Sequence, residues 1–514
     1  MASKADADTK AAQARAGSSD HRWRVLVVVS IAQLMVVLDA TVVNIALPSA
    51  QADLGFENSQ RQWVVTAYAL AFGSLLLLGG RIGDIFGRKR TFLIALVAFA
   101  VASAIGGAAP SFAVLVIARA LQGVAGAMLA PAALGTLVTT FRDPKDRGKA
   151  FGVFGTVAVA GGAVGLILGG VLTQYLSWRW CMYVNVLFAA AAIVGALVYM
   201  NEAKPPVRPR IDVVGTALAA LGLFGLVLGF SRAESNGWGS GVTILSLAAG
   251  VVLLVAFVRV EQRVAHPLLP LRVVADRSRG MAFAAVGITG LAMFGLFLFL
   301  TYYLQVVKHL SPVDSGLAFL PMIVCVMISS NTSNIVTLPR FGPRVVITIG
   351  MTTGVLALLY LSRLDVDSSY ATGVLPALML MGFAMGMVMA PAMNTATAGV
   401  QPQDSGVAAA LVSTMQQVGG SIGTAVLSTI AASATTAYAS AHAPVRGFDA
   451  VAATHGYVTV FLVSALVFAV GGVLAAAFFP SKARLTAMRA SAASSAATPQ
   501  AEPASAGEPV AVDA

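Results

Sequence analysis

Residues 112–140 have the sequence FAVLVIARALQGVAGAMLAPAALGTLVTT, an apolar run whose single charge is Arg119. A helix needs about 20 residues to cross a bilayer, so this run is long enough. The whole chain has a similar character, since 58% of its 514 residues are hydrophobic and only 11% are charged. Soluble proteins carry about 25% charged residues. For all but its ends, this composition excludes a secreted, fibrous or disordered chain, and it predicts an all-α polytopic membrane protein.

Comparable apolar runs recur along most of the chain. Each approaches the length of a bilayer-crossing helix. The sequence therefore predicts fourteen transmembrane helices, at residues 25–48, 62–80, 91–109, 112–140, 150–174, 181–200, 212–231, 241–259, 280–304, 315–338, 345–362, 372–397, 405–433 and 456–479.

The distribution of positive charge supports this count. Cytoplasmic loops of membrane proteins carry an excess of Lys and Arg, and each missed helix would invert the pattern downstream of it. If both termini are cytoplasmic, Arg119 lies inside the membrane and most of the 33 basic residues lie on the cytoplasmic side. This bias accounts for the net charge of +11, and no nucleic-acid partner is expected. The outer loops then hold Arg61, Arg179, Arg232, Lys308, Arg363 and Arg446.

An internal repeat predicts two related halves. The stretch 126–131 (GAMLAP) recurs as 386–391 (GMVMAP), and Phe86-Gly87 recurs as Phe341-Gly342. Duplicated helix bundles are typical of secondary transporters, whose substrate lies between the halves. Four further glycines, at 148, 161, 162 and 165, recur in the same order at 406, 419, 420 and 423.

The repeat and the composition together predict the domain boundaries. Two six-helix bundles flank an inserted helix pair, and polar tails rich in small residues are expected to be disordered. The predicted units are a disordered cytoplasmic tail at 1–21, an N-terminal bundle at 22–201, a linker at 202–211, inserted helices 7 and 8 at 212–259, a linker at 260–279, a C-terminal bundle at 280–479 and a disordered cytoplasmic tail at 480–514.

The loop after the second helix has the sequence GRIGDIFGRKR, at residues 80–90. Its glycines permit a tight turn, and its acid among several bases can join neighbouring helix ends in one state and release them in another. The alternative is a loop whose bases only follow the cytoplasmic excess of positive charge. Such a loop would need neither the acid nor the spacing of the glycines. The loop resembles the signature of the major facilitator superfamily, with Ile85 in place of the usual base. The resemblance implies a conformational switch formed by Gly80, Arg81, Asp84, Gly87, Arg88 and Lys89.

Glycines in the fifth helix resemble the antiporter signature of the same superfamily, with Leu166 in place of a proline. Glycines three or four positions apart let a second helix approach closely, so ordinary helix packing is the alternative explanation. In the family this signature accompanies exporters, so the resemblance implies outward transport. The matching residues are Gly152, Gly161, Gly165, Gly169 and Gly170.

Further motifs resemble those of fourteen-span drug:proton antiporters. They are Leu38-Asp39-Ala-Thr-Val-Val-Asn44 through Pro48 in the first helix, Leu115-x3-Arg119-x2-Gln122-Gly123 in the fourth, and residues 257–270 before the ninth. The resemblance implies a proton-coupled exporter of drugs, antibiotics or lipophilic metabolites that works by alternating access. A transporter of a polar nutrient is one alternative, and a non-transporting receptor or channel is another.

Asp39 and Arg119 are the two ionisable residues well inside predicted spans. Charges there are costly, at roughly 2.5–3.5 kcal/mol or more, so they are candidates for function. At 1.5 Å per residue both lie about 10–13 Å from the outer ends of their helices, so contact between them is feasible. We therefore assign proton coupling to Asp39 and Arg119; a static ion pair that only joins two helices is the alternative.

Polar and flexible side chains in the spans are candidates to line a substrate cavity. Methionine adapts to irregular apolar partners, although methionines on a helix more often belong to its core. The candidates are Asn44, Gln122, Tyr302, Gln305, Asn331, Asn334, Met385, Asn394 and Gln416.

No motif predicts an enzyme. A phosphate-binding Gly-x4-Gly-Lys-Ser/Thr loop is absent, which argues against ATP-driven pumping, and the five histidines lack metal-ligand spacing. We expect no metal and no cofactor, with a proton gradient as the energy source. The expected partners are a small lipophilic substrate, protons and the lipid bilayer, for a monomer in the cytoplasmic membrane.

Overall fold

A computed structural model of the protein describes residues 2–57, 60–141, 143–202, 212–264, 267–397, 400, 405–442 and 448–479. Within these ranges every regular element is a helix. The linker at 202–211, apart from residue 202, and the tail at 480–514 lie outside the described residues. So do the side chains of residues 2–20 and those of several helical positions, among them Asp84 and Gly152.

Six long helices form the N-terminal bundle, and two more follow them. The first begins at Ala2, where the sequence predicts a disordered tail over 1–21; the backbone there is helical, and the predicted disorder stays a prediction. The bounds are α1 (Ala2–Leu54), α2 (Gln62–Phe86), α3 (Arg88–Gly107), α4 (Phe112–Thr140), α5 (Pro144–Tyr175), α6 (Trp180–Tyr199), α7 (Val213–Asn236) and α8 (Gly241–Glu261).

The C-terminal bundle contains shorter pieces and three π-helical turns. The bounds are α9 (Leu271–Ala275), α10 (Arg277–Tyr302), π1 (Tyr303–Val307), α11 (Pro312–Ala318), α12 (Leu320–Thr332), π2 (Ser333–Thr337), α13 (Leu338–Leu361), π3 (Tyr370–Val374), α14 (Leu375–Thr397), α15 (Ser405–Ala441) and α16 (Phe448–Phe478).

Twelve helices in the described part of the chain are long and apolar enough to cross a membrane. One of the twelve is the 50-residue stretch Pro312–Leu361, which contains two of the predicted spans. Its helical course is interrupted at Gly342, whose φ is 79° and ψ 167°. The apolar part of α2, Gln62–Leu76, is shorter and is not among the twelve. Fourteen crossings and the side on which the termini lie stay predictions.

Large apolar side chains cover the outside of the bundle. Val198 is 63% exposed, Leu245 71%, Val252 65% and Leu466 66%. A water-soluble protein rarely exposes contiguous apolar surface on this scale. The exposed apolar surface therefore matches a protein surrounded by lipid.

The two bundles meet along α2 and α15 and along α5 and α11. The inserted pair lies beside this junction, because α7 packs on both α2 and α15 whereas α8 packs on α7. We call the end of the bundle that carries residues 55–61, 108–111 and 176–179 the outer end, following the charge rule. The opposite end, with residues 80–90, is the inner end.

A buried acid ties the inserted pair to the linker that follows it. Glu261 accepts hydrogen bonds from the backbone N–H groups of Leu268, at 3.2 Å, and Leu269, at 3.1 Å. Arg81 of the N-terminal bundle donates to the carbonyl of Pro267 in the same linker, at 3.1 Å. These bonds attach the linker both to α8 and to the N-terminal bundle.

Candidate functional site: a buried charge cluster

Asp39 on α1 and Arg119 on α4 form an ion pair inside the N-terminal bundle. The distance between Asp39 Oδ2 and Arg119 Nη1 is 2.5 Å. Each residue is only 1% exposed. The similar depths calculated from the sequence therefore correspond to direct contact.

Neutral side chains complete the hydrogen bonding of this pair. Gln122 donates to Asp39 Oδ1 at 3.0 Å, and Asn185 on α6 donates to the same oxygen at 2.8 Å. Gln122 also accepts from Arg119 at 2.9 Å and donates to Ser103 on α3 at 2.7 Å. The carboxylate of α1 thus accepts three hydrogen bonds from α4 and α6, and α3 contacts one of the donors, Gln122.

Arg119 also contacts two residues of α2. Its Nε donates to the backbone carbonyl of Val64 at 3.0 Å. The guanidinium carbon lies 4.5 Å from the ring centre of Tyr68, a geometry in which a cation and an aromatic face attract each other. The charge cluster is therefore joined to the first turns of α2 as well as to α1.

Such a buried pair is a poor source of stability. Removing two charges from water costs several kcal/mol per ion, and replacing a buried pair by apolar residues is often neutral or stabilising. Removing one partner alone costs about 3–5 kcal/mol, because the other charge is left unpaired. The arrangement is thus chemically suited to a charge that changes during function, since the pair responds strongly to any change in the charge of either member.

Gly161, Gly165 and Gly169 of α5 face α1, and Gly169 lies close to its backbone. A Cβ atom at Gly161 would lie 3.0 Å from Leu34 Cδ1, and one at Gly169 would lie 3.0 Å from Val42 Cα. One at Gly165 would overlap Thr41. A larger residue at Gly165 would have to displace the side chain of Thr41, and one at Gly169 would press against the backbone of α1.

Gly170 faces the opposite way, toward the C-terminal bundle. A Cβ atom there would lie 2.7 Å from the carbonyl oxygen of Pro312 in α11. Conversely, a Cβ atom at Gly316 would lie 2.9 Å from the carbonyl carbon of Leu166. The two bundles therefore touch backbone to backbone near the outer end.

The loop at the inner end anchors α2 and α3 to neighbouring helix ends. Arg88 donates to the carbonyl of Gly135 on α4. Lys89 donates to the carbonyls of Leu197, at 3.2 Å, and Met200, at 2.5 Å, at the end of α6. Cations at a helix C-terminus also interact favourably with the helix dipole. Arg88 and Lys89 thus bind backbone carbonyls.

The other residues of the predicted switch have varied surroundings. Gly87 has a φ of 94°, which glycine adopts readily. Gly80 packs near Pro131, since a Cβ atom at Gly80 would lie 3.6 Å from Pro131 Cβ. Arg81 reaches Pro267, as described above. The side chain of Asp84 lies outside the described residues.

The predicted cavity residues do not form one group. Gln122 belongs to the charge cluster, and Asn44 donates to Ala40 of its own helix at 2.9 Å. Tyr302 is buried and donates to Gln51 at 2.5 Å, and Gln305 donates to the carbonyl of Ile45 at 3.0 Å. Tyr302 and Gln305 thus join the two bundles at the outer end.

Toward the inner end, Asn394 donates to Asn334 at 2.7 Å, and both are exposed. Asn331 is exposed as well and donates to Met327 of its own helix at 2.9 Å. Met385 is 8% exposed and packs in the core, and Gln416 is partly buried. Of the nine candidates, the structure joins one pair directly, Asn334 and Asn394.

Within the described residues, no group of three or more His, Cys, Asp or Glu side chains is arranged to hold a metal ion. The charges of the cluster are instead paired with each other and with neutral side chains.

The sequence model of the Major Facilitator Superfamily matches residues 29–424, which include the charge cluster, the loop and the glycine series. The chain belongs to this superfamily. Its members are transporters rather than enzymes, so this chain is a multi-pass membrane transporter. The superfamily resemblance inferred from the motifs is thereby confirmed.

Similar proteins include the puromycin resistance protein of Streptomyces alboniger, which is 48% identical over 89% of this transporter and 90% of that protein. The cephamycin export protein of Amycolatopsis lactamdurans is 39% identical over 80% of this chain and 85% of that protein. The crystal structure of a POT family transporter has the same fold, with a TM-score of 0.64 at 15% identity over 89% of this chain and 98% of that one.

Proposed function

We propose that this transporter exports drugs or antibiotics from the cytoplasm in exchange for protons. The observation that carries the proposal is the fully paired carboxylate of Asp39 inside a chain similar to a puromycin resistance protein and a cephamycin export protein. The expected substrate is a small lipophilic molecule. The transporter is expected to act as a monomer in the cytoplasmic membrane and to use the proton gradient without a cofactor.

Asp39 is the residue best placed to carry the proton. In the described part of the chain the buried acids are Asp39 and Glu261, and Glu261 lies at the end of α8, where its linker covers it. The proton affinity of a carboxyl group depends on its solvation and on nearby charges. A movement that changes the solvation of Asp39 or its distance from Arg119 would therefore load or release a proton.

The proposed cycle uses alternating access. Asp39 takes up a proton when the transporter is open to the outside and releases it after the inner end opens, and Arg119 assists this release. The drug leaves in the opposite direction. The contacts of Tyr302, Gln305 and Gly170 join the two bundles at the outer end. They support assigning this structure to the state that receives substrate from the cytoplasm.

Exposed polar side chains near the inner end would meet the substrate first. Asn331, Asn334 and Asn394 are exposed there, and Met393 beside them is 42% exposed. Amide groups offer both donors and acceptors, and methionine adapts to apolar partners of different shape. Together they suit a surface that accepts lipophilic molecules carrying a few polar groups.

The proposal includes fourteen membrane crossings with both termini in the cytoplasm. The break at Gly342 supports two crossings within Pro312–Leu361. The 25 residues of α2 are enough for another crossing. Reporters fused near Lys204 and after the last residue should both lie in the cytoplasm. An external reporter at the C-terminus would rule out an even number of crossings.

Efflux from a pump-deficient bacterial host tests the function directly. Puromycin and a cephamycin are the first substrates to try, followed by dyes and other antibiotics, each with and without a protonophore. We expect accumulation to fall when the transporter is expressed and to recover with the protonophore.

Substitutions of Asp39 test the proton site in the same assay. Asp39→Asn should abolish uphill efflux, because a neutral amide cannot cycle a proton, whereas Asp39→Glu should keep part of it. Asp367→Asn changes an exposed acid and is the matched control. Protonophore-sensitive efflux by Asp39→Asn at the wild-type rate would show that another acid carries the proton.

A further inference from the structure

A cavity of about 640 Å³ lies between the two bundles at the outer end. Its N-terminal wall includes Gln51 and Arg61, and its C-terminal wall includes Ser428 and Tyr457. Cavities that bind small organic molecules have volumes of about 300–1,000 Å³, so there is room for one such molecule. We call this space the outer cavity.

The outer cavity reaches the surface of the protein. Glu57 and Thr436 in its lining are exposed. Arg61, Ser428 and Tyr457 are buried, with exposed fractions of 6%, 3% and 5%. The exposed residues therefore form a rim and the buried residues a floor, so a molecule that enters from the outer end meets Arg61 last.

Arg61 brings a buried positive charge to this floor. None of the ion pairs between described residues includes Arg61, and its Nε atom has no hydrogen-bond partner among those residues. A buried charge is costly unless an opposite charge or hydrogen bonds compensate it. An anion in the outer cavity would therefore lower the free energy of this charge.

Aromatic rings of the C-terminal bundle cover the face of the Arg61 guanidinium. Its central carbon lies 4.1 Å from the ring centre of Tyr302, 5.5 Å from that of Phe299 and 5.9 Å from that of Tyr457. A stacked guanidinium keeps its N–H groups at its edge, in a planar fork that matches the two oxygens of a carboxylate. The rings thus hold the donors of Arg61 in a plane suited to a carboxylate.

Ser428 supplies a second polar group without a partner. Its Oγ atom is buried and has no hydrogen-bond partner among the described residues, and a serine hydroxyl can donate to a carboxylate. Apolar side chains make up much of the remaining lining, among them Phe56, Ala431 and Ala453. A ligand that suits this cavity therefore joins an acid group to an apolar body.

The charges of the cavity favour a ligand with a single negative charge. Among the lining residues that the structure describes, Arg61 is the one base, and Glu57 at the rim is an acid. A phosphate monoester carries about −1.5 to −2 charges at neutral pH, so part of its charge would face Glu57 uncompensated. A monocarboxylate is neutralised by Arg61 alone.

We propose that the outer cavity binds lipophilic monocarboxylates, with the acid group on Arg61 and Ser428 and the apolar body against Tyr457. Because both bundles line the cavity, the bound molecule contacts both only while they are joined at this end. A ligand shifts a protein toward the conformation that binds it better, so the monocarboxylate keeps the outer end closed and slows transport. This effect rests on the alternating access proposed above, whereas the binding site does not.

Equilibrium binding of radiolabelled naphthylacetate tests the site. This probe has one carboxylate and an aromatic body, and naphthylacetamide has nearly the same shape without the charge. The purified full-length protein is reconstituted in lipid nanodiscs, and empty nanodiscs give the background. We expect saturable binding that neither excess naphthylacetamide nor excess inorganic phosphate displaces. Displacement by the amide would overturn recognition of an acid group, and displacement by phosphate would overturn the preference for a carboxylate.

Substitutions locate the bound probe. Arg61→Gln should weaken binding about 10- to 100-fold, as expected for loss of a hydrogen bond between charged groups, and Ser428→Ala about 3- to 10-fold. Arg61→Lys keeps the charge but not the planar fork, so its affinity should be intermediate. Arg363→Gln alters an exposed arginine at the same end and should bind as the wild type does. Wild-type affinity in Arg61→Gln, or in Ser428→Ala if Arg61→Gln does not fold, would overturn the site.

Spin-label distances across the outer end test the effect on the bundles. Labels at Ser111 and Asp367, both exposed and in different bundles, are introduced after Cys181→Ala and Cys325→Ala remove the native thiols. Saturating naphthylacetate should leave only the shorter distance between the labels. A longer distance that persists at saturation would disprove this effect but leave the site. Failure of proton-coupled export is seen separately, in the efflux assay.

Discussion

The two bundles of this transporter share a backbone design but differ in the side chains at its centre. Gly87 and Gly342 each follow a phenylalanine, and their φ angles are 94° and 79°. Their ψ angles, 142° and 167°, are also similar. The Phe-Gly pair that repeats in the sequence thus has the same backbone conformation in both bundles.

Close helix packing is repeated as well. In the N-terminal bundle Gly165 of α5 approaches Leu38 and Thr41 of α1, and in the C-terminal bundle Gly423 of α15 approaches Leu291 of α10. A Cβ atom at Gly423 would lie 2.7 Å from Leu291 Cα. Small residues allow such approach in membranes, where packing rather than the hydrophobic effect drives association.

The charge cluster has no counterpart at the repeated positions. The residues that correspond to Arg119 and Gln122, by the spacing between Pro131 and Pro391, are Met379 and Gly382. Met379 is 46% exposed. The C-terminal bundle therefore folds without a buried charge at this place, which indicates that the shared architecture does not need one. The charges therefore serve a role that the C-terminal bundle does not share, and the proton coupling proposed above is such a role.

Making the N-terminal bundle resemble the C-terminal one at this position should have the largest effect. Arg119→Met leaves the carboxylate of Asp39 buried and unpaired, so we expect a loss of about 3–5 kcal/mol in unfolding free energy together with loss of efflux. Asp39→Asn combined with Arg119→Met should recover most of the stability but none of the uphill transport. Thermal unfolding in detergent and efflux assays measure the two quantities.

Met379→Ala at the corresponding position is the control for Arg119→Met, and it should change little because the side chain is half exposed. If Met379→Ala and Arg119→Met lowered the unfolding free energy and the efflux equally, both positions would serve packing alone.

Disturbing the packing that both bundles share should have the next largest effect. Gly165→Leu must displace Thr41, and overpacking of this kind costs about 1–3 kcal/mol. We expect an inserted but inactive protein, measured by membrane abundance and efflux. Gly162→Ala adds a methyl group whose nearest neighbour, Ile323, is 3.9 Å away, so it should transport normally. Normal efflux by Gly165→Leu would show that the spacing has no role.

The smallest effect is expected at the turns. Gly87→Ala forces a side chain into a backbone conformation that costs about 1–3 kcal/mol, and its methyl would also meet Glu202. Gly342→Ala has the same backbone strain but not the overlap with Glu202. Both substitutions should therefore lower the melting temperature, and Gly87→Ala should lower it more. Gly83→Ala, which meets nothing within 4 Å, should not. A tolerated Gly87→Ala would mean that the turn adapts.

The sequence predicted that Asp39 and Arg119 can come into contact, because charges inside apolar runs are rare and the helical rise converts position into depth. The sequence could not predict the contact between Arg119 and Val64, because Val64 accepts this hydrogen bond through its backbone carbonyl, a group that every residue has. Asn185 left only a weak signal, a neutral amide in a predicted span. Arg61 counted as one more outer-loop base, since its aromatic partners come from distant parts of the chain.

Tyr302 and Gln305 show a different limit of sequence reasoning. A polar side chain in a span suggests a cavity lining, yet here both bind α1 across the junction. Which polar groups face a cavity depends on how the bundles are oriented in a given state, and spacing along the chain does not contain that information. The positions of the helices were easier to predict, because long apolar runs with charged ends leave few alternatives.

The buried ion pair also sets a problem for the synthesis of this protein. Asp39 and Arg119 are 80 residues apart, so at about 5–20 residues per second the aspartate is made roughly 4–16 s before its partner. During that interval α1 carries a charge that costs roughly 2.5–3.5 kcal/mol at the centre of a bilayer. Until α4 arrives, the apolar residues of the nascent α1 must offset this cost alone. Assembly of the N-terminal bundle is thereby tied to the emergence of its fourth helix.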